Sequence, residues 1–191
     1  NMDYQYMPFY DKGGKIYIYT NYGAPKGRIM VADISKPGLN DWQELIAEQK
    51  NVLSGVEVIN QQLVLTYNQD ASDHAFIYGL DGKKRHEVKL PTVGSVGFTG
   101  DEKGEECFYT FTSFTMPGTI YRYDMAKNES TLYAQPNVKF RMQDYESKQV
   151  FFNSKDGTRI PMFLTYKKGL KRNGKNPVYL YGYGGFNIAL G

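Results

Sequence analysis

The sequence has little of what disulfides, metal sites and redox sites require. It contains one cysteine, Cys107, so no internal disulfide can form. Because Cys107 lies between Glu106 and Phe108 in an alternating run, we predict an inert thiol on a strand. The two histidines, His74 and His86, are not spaced with cysteine or acidic residues as metal ligands are. We therefore expect no metal and no cofactor.

Charge of one sign and long apolar runs are also scarce. Lys and Arg total 23 and Asp and Glu total 20, and the densest basic runs, at 83–85 and 167–172, are short. Such runs are typical of solvated loops, so a nucleic-acid partner is poorly supported. No stretch approaches the ~20 apolar residues of a membrane span, and residues 1–30 lack the pattern of a signal peptide. We expect no membrane partner, and the compartment stays open between cytoplasm and periplasm.

Aromatic residues and glycines, by contrast, are abundant. The chain has 17 tyrosines, 11 phenylalanines and 20 glycines, and aromatic side chains fit the half-buried surface of a β-sheet. Three segments share one pattern, in which two alternating runs of aromatic and β-branched residues enclose a turn-rich gap and end near an aspartate. They are KIYIYTNYGAPKGRIMVADI (15–34), QLVLTYNQDASDHAFIYGLDG (62–82) and CFYTFTSFTMPGTIYRYDM (107–125). The pattern predicts three β-hairpins.

Shorter alternating stretches flank each hairpin, so each repeat holds about four strands in roughly 45 residues, as β-propeller blades do. In the first repeat, residues 4–11 would supply the innermost strand, and residues 41–53 could form a helix instead of a fourth strand. Three blades do not close a ring, and an open ring exposes sheet faces and strand edges. We therefore interpret residues 1–137 as a partial β-propeller and the chain as a piece of a larger protein.

The pattern changes after the third repeat. Residues 147–169 form two alternating runs around Asp156-Gly157, a strong hairpin turn because glycine tolerates positive φ. After a polar loop comes VYLY (178–181), an apolar run that suits a strand buried on both faces of a sheet. A hairpin, a buried strand and a glycine-rich loop are how an α/β-hydrolase sheet opens. Residues 138–191 are thus interpreted as the truncated start of an α/β-hydrolase domain, and the fold class as mainly β.

The glycine-rich loop contains the candidate catalytic residue. In an α/β-hydrolase the loop after the third strand donates to the oxyanion hole, and glycines let the backbone approach the substrate closely. Tyr183 lies between Gly182 and Gly184. Its hydroxyl could donate to the negative oxygen that develops when a serine attacks an ester or amide. Tyr179 and Tyr181 alternate along the preceding strand and are predicted to be core residues without a chemical role.

The loop YGYGGFN, which follows NPVYL, resembles the prolyl oligopeptidase family. So do SKDGTRIPMF (154–163) and FTSFTMPGTIYRYD (111–124), and the resemblance covers essentially the whole chain. It implies a serine peptidase with a seven-bladed propeller over an α/β-hydrolase domain. Such an enzyme cleaves short proline-containing peptides after proline, and its propeller limits access to small peptides. By this resemblance, Tyr183 matches the tyrosine of the oxyanion hole and Phe186 an aromatic residue lining the proline-binding S1 region.

The family's catalytic triad has no counterpart in these residues. No G-x-S-x-G occurs, and His74 and His86 fall in the propeller repeats. We therefore expect the 191 residues alone not to hydrolyse peptides. Two alternatives stay open: a β-propeller binding module, and a peptidase similar to oligopeptidase B that cleaves after Arg or Lys.

Several other residues invite a functional interpretation. Asp33, Asp81 and Asp124 end successive repeats, and we predict that they form hydrogen bonds at turns or strand ends, not a metal site. Arg28 and Arg122 follow the gaps of their hairpins, and we predict buried or inter-blade ion pairs for both. The final strand would lack its sheet neighbours, so we expect residues 178–191 to be displaced or paired with another copy, a non-native self-association.

Overall fold

The computed structural model describes residues 3–185, and this part of the chain contains β-strands, turns and loops without an α-helix. Three antiparallel four-stranded sheets follow one another, each with its strands in sequence order. The first sheet contains β1 (Tyr6–Lys12), β2 (Lys15–Thr20), β3 (Arg28–Asp33) and β4 (Gln43–Ile46). The second contains β5 (Val52–Ile59), β6 (Gln62–Gln69), β7 (Ser72–Gly79) and β8 (Lys84–Glu87). The third contains β9 (Ser95–Gly100), β10 (Cys107–Ser113), β11 (Met116–Asp124) and β12 (Glu129–Ala134).

A two-stranded hairpin follows the three sheets. It consists of β13 (Tyr145–Asn153) and β14 (Arg159–Lys167). Single turns of 3₁₀ helix at Leu39–Asp41 and Met142–Asp144 precede β4 and β13. Between residues 3 and 185 no helix is long and apolar enough to cross a membrane.

The three repeated segments fold as the predicted hairpins, β2–β3, β6–β7 and β10–β11. Their alternation places apolar partners opposite each other, as where Leu65 pairs with Phe76. Asp70 and Ala71 connect β6 to β7 with φ values of 52° and 63°, which match the twist of a tight hairpin. In the first sheet, β1 supplies the innermost strand as predicted, and the possible helix at 41–53 is replaced by β4.

The second sheet lies between the first and the third, and alternate residues of its strands face opposite neighbours. Leu63, Leu65 and Tyr67 pack with residues of the first sheet such as Ile29. The opposite face of the second sheet packs with the third sheet through the buried residues Ile59, Val64, Ala75, Ile77, Val88, Cys107, Tyr109, Phe111, Tyr123 and Met125. Side chains thus interdigitate between neighbouring sheets, and the second sheet has both faces covered.

The first strands of successive sheets approach each other, since β5 contacts both β1 and β9. Sheets that converge on their first strands are arranged as propeller blades are around a channel. The β2–β3, β6–β7 and β10–β11 turns lie at the same end of the three sheets. The Leu53 N–H at the start of β5 donates to the Lys26 carbonyl in the β2–β3 turn, and the Asp73 N–H at the start of β7 donates to the Gly94 carbonyl just before β9.

The hairpin contacts the blades at that end. The rings of Phe163 on β14 and Phe114 in the β10–β11 turn have centroids 5.3 Å apart. The Gln149 side chain on β13 donates to the Asp70 carbonyl in the β6–β7 turn at 2.5 Å. Gly157, at the predicted hairpin turn, has a φ of 85°, a conformation that glycine adopts readily.

The prediction of a buried strand at VYLY is wrong for the described residues. Val178, Tyr179, Leu180 and Tyr181 belong to no strand and are 63–88% exposed. The rings of Tyr179 and Tyr181 stack on each other, with centroids 6.4 Å apart, and are not core residues. The reason is physical: a strand buried on both faces needs neighbours on both edges, and no described strand pairs with this segment. Residues 178–185 lie off every sheet, which agrees with the expected displacement, whereas 186–191 lie outside the described residues.

The described chain is therefore mainly β, with three blade-like sheets and one hairpin. The helices and parallel strands that would define an α/β-hydrolase domain do not occur between residues 3 and 185.

Candidate functional site

The candidate catalytic residue, Tyr183, lies in the glycine-rich segment after the hairpin. Its side chain is 47% exposed, and its ring folds back over Gly185, where an added Cβ would lie 3.2 Å from the hydroxyl oxygen. Around Gly182 and Gly184, an added Cβ would meet no atom within 4 Å. The backbone on either side of the phenol is therefore open, so a substrate could approach it closely.

Tyr183 has one property that oxyanion stabilisation requires and lacks another. Its hydroxyl is accessible and can donate a hydrogen bond. A strong oxyanion hole, however, needs a donor held in place by its surroundings and excluded from water. The surroundings within residues 3–185 provide neither, because the segment is exposed and unpaired. The other predicted site residue, Phe186, lies outside the described residues.

The loop that leads to Tyr183 is held to the hairpin by local contacts. The Lys168 N–H donates to the Asp144 carbonyl at 2.7 Å, and the guanidinium of Arg172 lies 4.6 Å from the centre of the Tyr166 ring. Within the loop, the Asn176 side chain donates to the Lys171 carbonyl at 2.8 Å. These contacts fix the chain as far as residue 176, so the glycine-rich segment begins close to β14.

The two histidines contact groups other than serine. His74 Nδ1 lies 3.2 Å from Glu87 Oε1, and His86 Nε2 lies 2.8 Å from the Tyr123 hydroxyl. No cluster of three or more His, Cys, Asp or Glu residues that could hold a metal ion occurs in the described part of the chain.

The three repeat aspartates form turn hydrogen bonds, which confirms the prediction made for them. Asp33 accepts from the Ser35 N–H at 2.8 Å, and Asp81 accepts from the Lys83 N–H at 3.1 Å. Asp124 accepts from the Ala126 and Lys127 N–H groups, both at 3.0 Å. The Ser35 hydroxyl also donates to Asp33, at 2.6 Å. That bond, followed by the one from the Ser35 N–H, holds the pKa of Asp33 below its ordinary value, and the bond from the Lys127 N–H does most to lower the pKa of Asp124. Each aspartate thus closes the turn after the third strand of its blade.

The two arginines form ion pairs, but neither pair is buried and neither joins two blades, so the prediction of buried or inter-blade pairs is wrong. Arg28 pairs with Glu44 of its own sheet at 3.0 Å, and Arg122 pairs with Glu106 at 3.2 Å. Neighbouring strands of one blade bring these side chains together, since β3 pairs with β4 and β10 with β11. The Arg122 pair is also exposed, so both arginines act within a blade.

Sequence reasoning missed two open clefts on the blades. One, of about 460 Å³, lies between β7 and the loop after β8 and is lined by residues that include Asp73, His74, Glu87 and Leu90. The other, of about 610 Å³, lies beside the β11–β12 turn and includes Arg122 and Lys127. Both combine residues distant in the sequence, so no local pattern signals them.

Comparison with known proteins gives the same picture of the first two thirds of the chain. Residues 1–136 match the family model described as prolyl oligopeptidase, N-terminal β-propeller domain. Among curated proteins, the chain is 40% identical over 179 residues to a prolyl endopeptidase of Elizabethkingia meningoseptica, with 93% of this chain and 25% of that protein covered. It is 35% identical over 191 residues to prolyl oligopeptidase A of Galerina marginata, covering 97% of this chain and 26% of the relative.

Solved structures agree. A structure from a study of two prolyl endopeptidases superposes with a TM-score of 0.89 at 37% identity, covering 98% of this chain and 28% of that one. Prolyl oligopeptidase B from Galerina marginata superposes with a TM-score of 0.79 at 30% identity, covering 88% of this chain and 25% of that one. The chain thus spans about a quarter of the length of the relatives that it matches.

Proposed function

Because this chain belongs to the prolyl oligopeptidase family, we propose that it is part of a serine oligopeptidase that cleaves short peptides after proline. The observation that carries the proposal is the match of residues 1–136 to the family's propeller domain. The blade-like arrangement of the three sheets supports it independently. The 191 residues contain no G-x-S-x-G, so the nucleophile would come from sequence outside them.

The proposed division of labour follows the two regions of the chain. Residues 1–137 would form propeller blades that cover the active site and exclude large substrates. Residues 138–191 would begin the hydrolase domain, with β13–β14 as its first hairpin. The hairpin lies against the β6–β7 and β10–β11 turns through Gln149 and Phe163, which supports a hydrolase domain placed at that end of the blades.

Tyr183 would act on the tetrahedral intermediate. When a serine attacks the carbonyl carbon of the proline residue, that carbonyl oxygen becomes negative, and the Tyr183 hydroxyl would donate to it. This assistance requires the open backbone at Gly182 and Gly184. Phe186 would line the apolar pocket for the proline ring. The expected partners of the whole enzyme are therefore short proline-containing peptides.

A β-propeller binding module is the second candidate. The two open clefts on the blades are the observation that favours it, because each is a concave surface with polar and apolar side chains that a ligand could contact. Cleavage after Arg or Lys, as in oligopeptidase B, is less well supported, since the relatives described above are named for prolyl specificity.

The test compares two tyrosines in the longer polypeptide to which these residues would belong. We expect hydrolysis of a fluorogenic peptide with proline before the scissile bond, and much slower hydrolysis when arginine replaces proline. Tyr183→Phe should lower kcat by ~10²–10³, the effect of removing one oxyanion donor. The matched control, Tyr181→Phe, should change kcat by less than about twofold, as expected for an exposed residue outside the chemistry.

Three outcomes would change the assignment. Equal losses in the two variants would remove the oxyanion role of Tyr183. Faster cleavage after Arg or Lys would favour a peptidase similar to oligopeptidase B. Absence of hydrolysis together with saturable binding of a peptide to the blades would favour the binding module.

A further inference from the structure

Three turns of the described chain have the same geometry. They lie at residues 81–83, 156–158 and 173–175, and each begins with Asp or Asn followed by glycine. The first side chain accepts from the backbone N–H of the third residue at 3.0–3.1 Å, and the glycines have φ values of 76–85°. In such an Asx turn the side chain folds back over the peptide bond that follows it. We call residues 173–175 the Asn173 turn.

The glycine nitrogen of the Asn173 turn is free, unlike those of the other two turns. The Gly82 and Gly157 N–H groups donate to backbone carbonyls at 2.9 and 3.0 Å. The Gly174 N–H donates to no acceptor within residues 3–185. Asn173 and Gly174 are exposed, and an added Cβ at Gly174 would meet no atom within 4 Å. The Gly174 nitrogen is therefore accessible, and the turn has room for a change in its covalent structure.

The first side chain of the Asn173 turn also differs in its chemistry. Asp81 and Asp156 carry carboxylates, whose negative charge repels an attacking nitrogen. Asn173 carries a neutral amide, whose carbonyl carbon can be attacked and whose nitrogen can leave as ammonia. It is the single asparagine of the sequence that precedes glycine. The Asn173 turn thus combines a free nitrogen with a reactive carbon.

The hydrogen bond from the Lys175 N–H to Asn173 Oδ1, at 3.0 Å, favours attack of this nitrogen on this carbon. It closes a ring that contains both Asn173 Cγ and the Gly174 nitrogen, and so holds the two atoms on the same side of the chain. Attack on Cγ would place negative charge on Oδ1, to which the Lys175 N–H already donates. Glycine also adds no side chain that would hinder the approach.

We propose that Asn173-Gly174 is a site of spontaneous modification, at which the asparagine becomes aspartate or isoaspartate. A base in solution removes the proton of the Gly174 nitrogen, which forms a bond to Cγ. The Cγ–Nδ2 bond then breaks, and the amide nitrogen takes up a proton and leaves as ammonia. Water opens the resulting succinimide ring, giving aspartate by attack at Cγ and isoaspartate by attack at the main-chain carbonyl. The proposal does not depend on peptidase activity.

Either product places a negative charge in a positively charged loop. The sequence contains no Asp or Glu after Asp156, and Lys171, Arg172 and Lys175 lie close to Asn173 along the chain. An aspartate at position 173 would accept from the Lys175 N–H as Asp156 accepts from the Thr158 N–H, so the turn would be kept. Isoaspartate would lengthen the main chain by one carbon and disrupt the turn at the start of the glycine-rich segment.

The first experiment incubates the 191-residue chain at 37 °C and pH 7.4 and maps its peptides by mass spectrometry. Chymotrypsin cleaves after Tyr166 and Tyr179, so one fragment contains both Asn173 and Asn176. We expect conversion of the amide to the acid at Asn173, faster at pH 8 than at pH 6. An isoaspartate methyltransferase should label part of the product. Asn176 is the internal control, because Pro177 has no N–H with which to form the ring. Digestion in ¹⁸O-water identifies any conversion that occurs during digestion.

Variants test the role of the turn. Gly174→Ala should slow conversion about tenfold, since alanine disfavours the left-handed backbone by roughly this factor. Lys175→Pro keeps the Asn-Gly pair but removes the N–H that donates to Oδ1, and should also slow conversion about tenfold. The matched control, Lys175→Ala, keeps that N–H and should react nearly as fast as the unaltered chain. These residues lie in an exposed loop, so none of the variants removes a core contact.

The comparison with a synthetic peptide of residues 167–179 separates the fold from the local sequence. Conversion in the folded chain at least as fast as in the peptide supports the proposal. The proposal is overturned if the folded chain keeps the Asn173 amide while the peptide loses it, or if Lys175→Pro reacts as fast as Lys175→Ala. Formation of aspartate without isoaspartate would also overturn it, because direct hydrolysis of the amide requires no ring.

Discussion

The three blades and the segment after the hairpin contain the same kinds of residue, yet the structure treats them in opposite ways. In the blades, Leu63, Leu65 and Ile77 are fully buried. In the segment after β14, Val178 and Leu180 are almost fully exposed. Both stretches have the apolar pattern of a buried strand, but within residues 3–185 only the stretch in the blades has neighbouring strands and a facing sheet. The apolar character of a segment thus indicates that it needs partner strands or sheets. It does not indicate which part of the protein supplies them.

Burial follows the number of faces that another element covers. The second sheet has both faces covered and contains more fully buried residues than either neighbouring sheet. The hairpin has one face against the blades, through Phe163 and Gln149. Residues on both of its faces, including Phe163 and its neighbour Met162, are only half-buried. The segment at 178–185 has no covered face. Each blade packs against a neighbouring blade of the same chain. The segment at 178–185 packs against no sheet of residues 3–185.

Thiol reactivity should give the largest difference between the two regions. Cys107 is fully buried, and burial raises its pKa to about 12. A cysteine at the exposed position 180 should titrate near 8.5, so its thiolate fraction at neutral pH should exceed that of Cys107 by roughly 10³. In the variant Leu180→Cys, a mass-resolved maleimide assay should therefore label position 180 first. Labelling of Cys107 at a similar rate in the folded chain would show that the third sheet opens readily.

Replacement of a leucine by alanine should lower the free energy of unfolding much more in the blades than in the segment after β14. Leu65 is 0% exposed, between the first and second sheets, so Leu65→Ala should lower the free energy of unfolding by ~2–5 kcal/mol. Leu180 is 83% exposed, and Leu180→Ala should change it by less than about 0.5 kcal/mol. Urea unfolding followed by tryptophan fluorescence would measure both. A large effect at Leu180 would mean that the segment packs against the blades in solution.

Two glycines with the same backbone conformation isolate the contribution of packing. Gly82 and Gly174 both have a φ of 76°. An added Cβ at Gly82 would lie 2.6 Å from the Leu45 carbonyl oxygen of the first sheet, whereas at Gly174 it would meet nothing within 4 Å. Gly174→Ala should therefore destabilise the loop around residue 174 by ~1–2 kcal/mol, the cost of a left-handed backbone for alanine. It should not lower the free energy of unfolding of the blades. Gly82→Ala should cost more, because the first and second sheets must also move apart.

Urea unfolding would measure the free energy of global unfolding of both glycine variants. Hydrogen exchange of the 167–176 loop would measure the local effect of Gly174→Ala. Equal effects on global unfolding would show that the contact between Leu45 and Gly82 does not hold the two blades together.

The sequence allowed the blades to be predicted because their evidence is local. Alternation along β6 and β7 gives the strands, and the turn residues between them give the hairpin. The turn role of Asp124 was predictable for the same reason, since its partners lie two and three residues away. The family resemblance added Tyr183 and Phe186, whose roles remain predictions.

Contacts between distant residues could not be predicted in this way. His86 and Tyr123 are 37 residues apart, and no period or motif in the sequence relates them. The inter-blade prediction for Arg28 failed because a neighbouring strand of its own blade supplies Glu44. The buried strand at 178–181 failed for the opposite reason, because its apolar residues find no partner among the described strands.

The smallest expected difference concerns a turn motif that both regions use. Asp124 accepts from backbone N–H groups in the β11–β12 turn, and Asp156 accepts from the Ser154 hydroxyl and the Thr158 N–H in the β13–β14 turn. Hydrogen bonds lower the pKa of both carboxyl groups, that of Asp156 to about 2. Since a lowered pKa favours the folded state only while the carboxyl group is ionised, each contribution is present above about pH 3.9 and lost as the pH falls through the folded pKa.

The two aspartates should differ in what unfolds with them. Asn keeps the acceptor oxygen but does not titrate. Asp124→Asn should therefore make the free energy of global unfolding less dependent on pH between pH 5 and 2. Asp156→Asn should leave this pH dependence unchanged and alter only the hydrogen exchange of the hairpin, because among the strands of residues 3–185 β13 pairs only with β14. If Asp156→Asn also changed global unfolding, the hairpin and the blades would unfold as one unit. The contacts of Gln149 and Phe163 would then couple the two regions more strongly than their burial indicates.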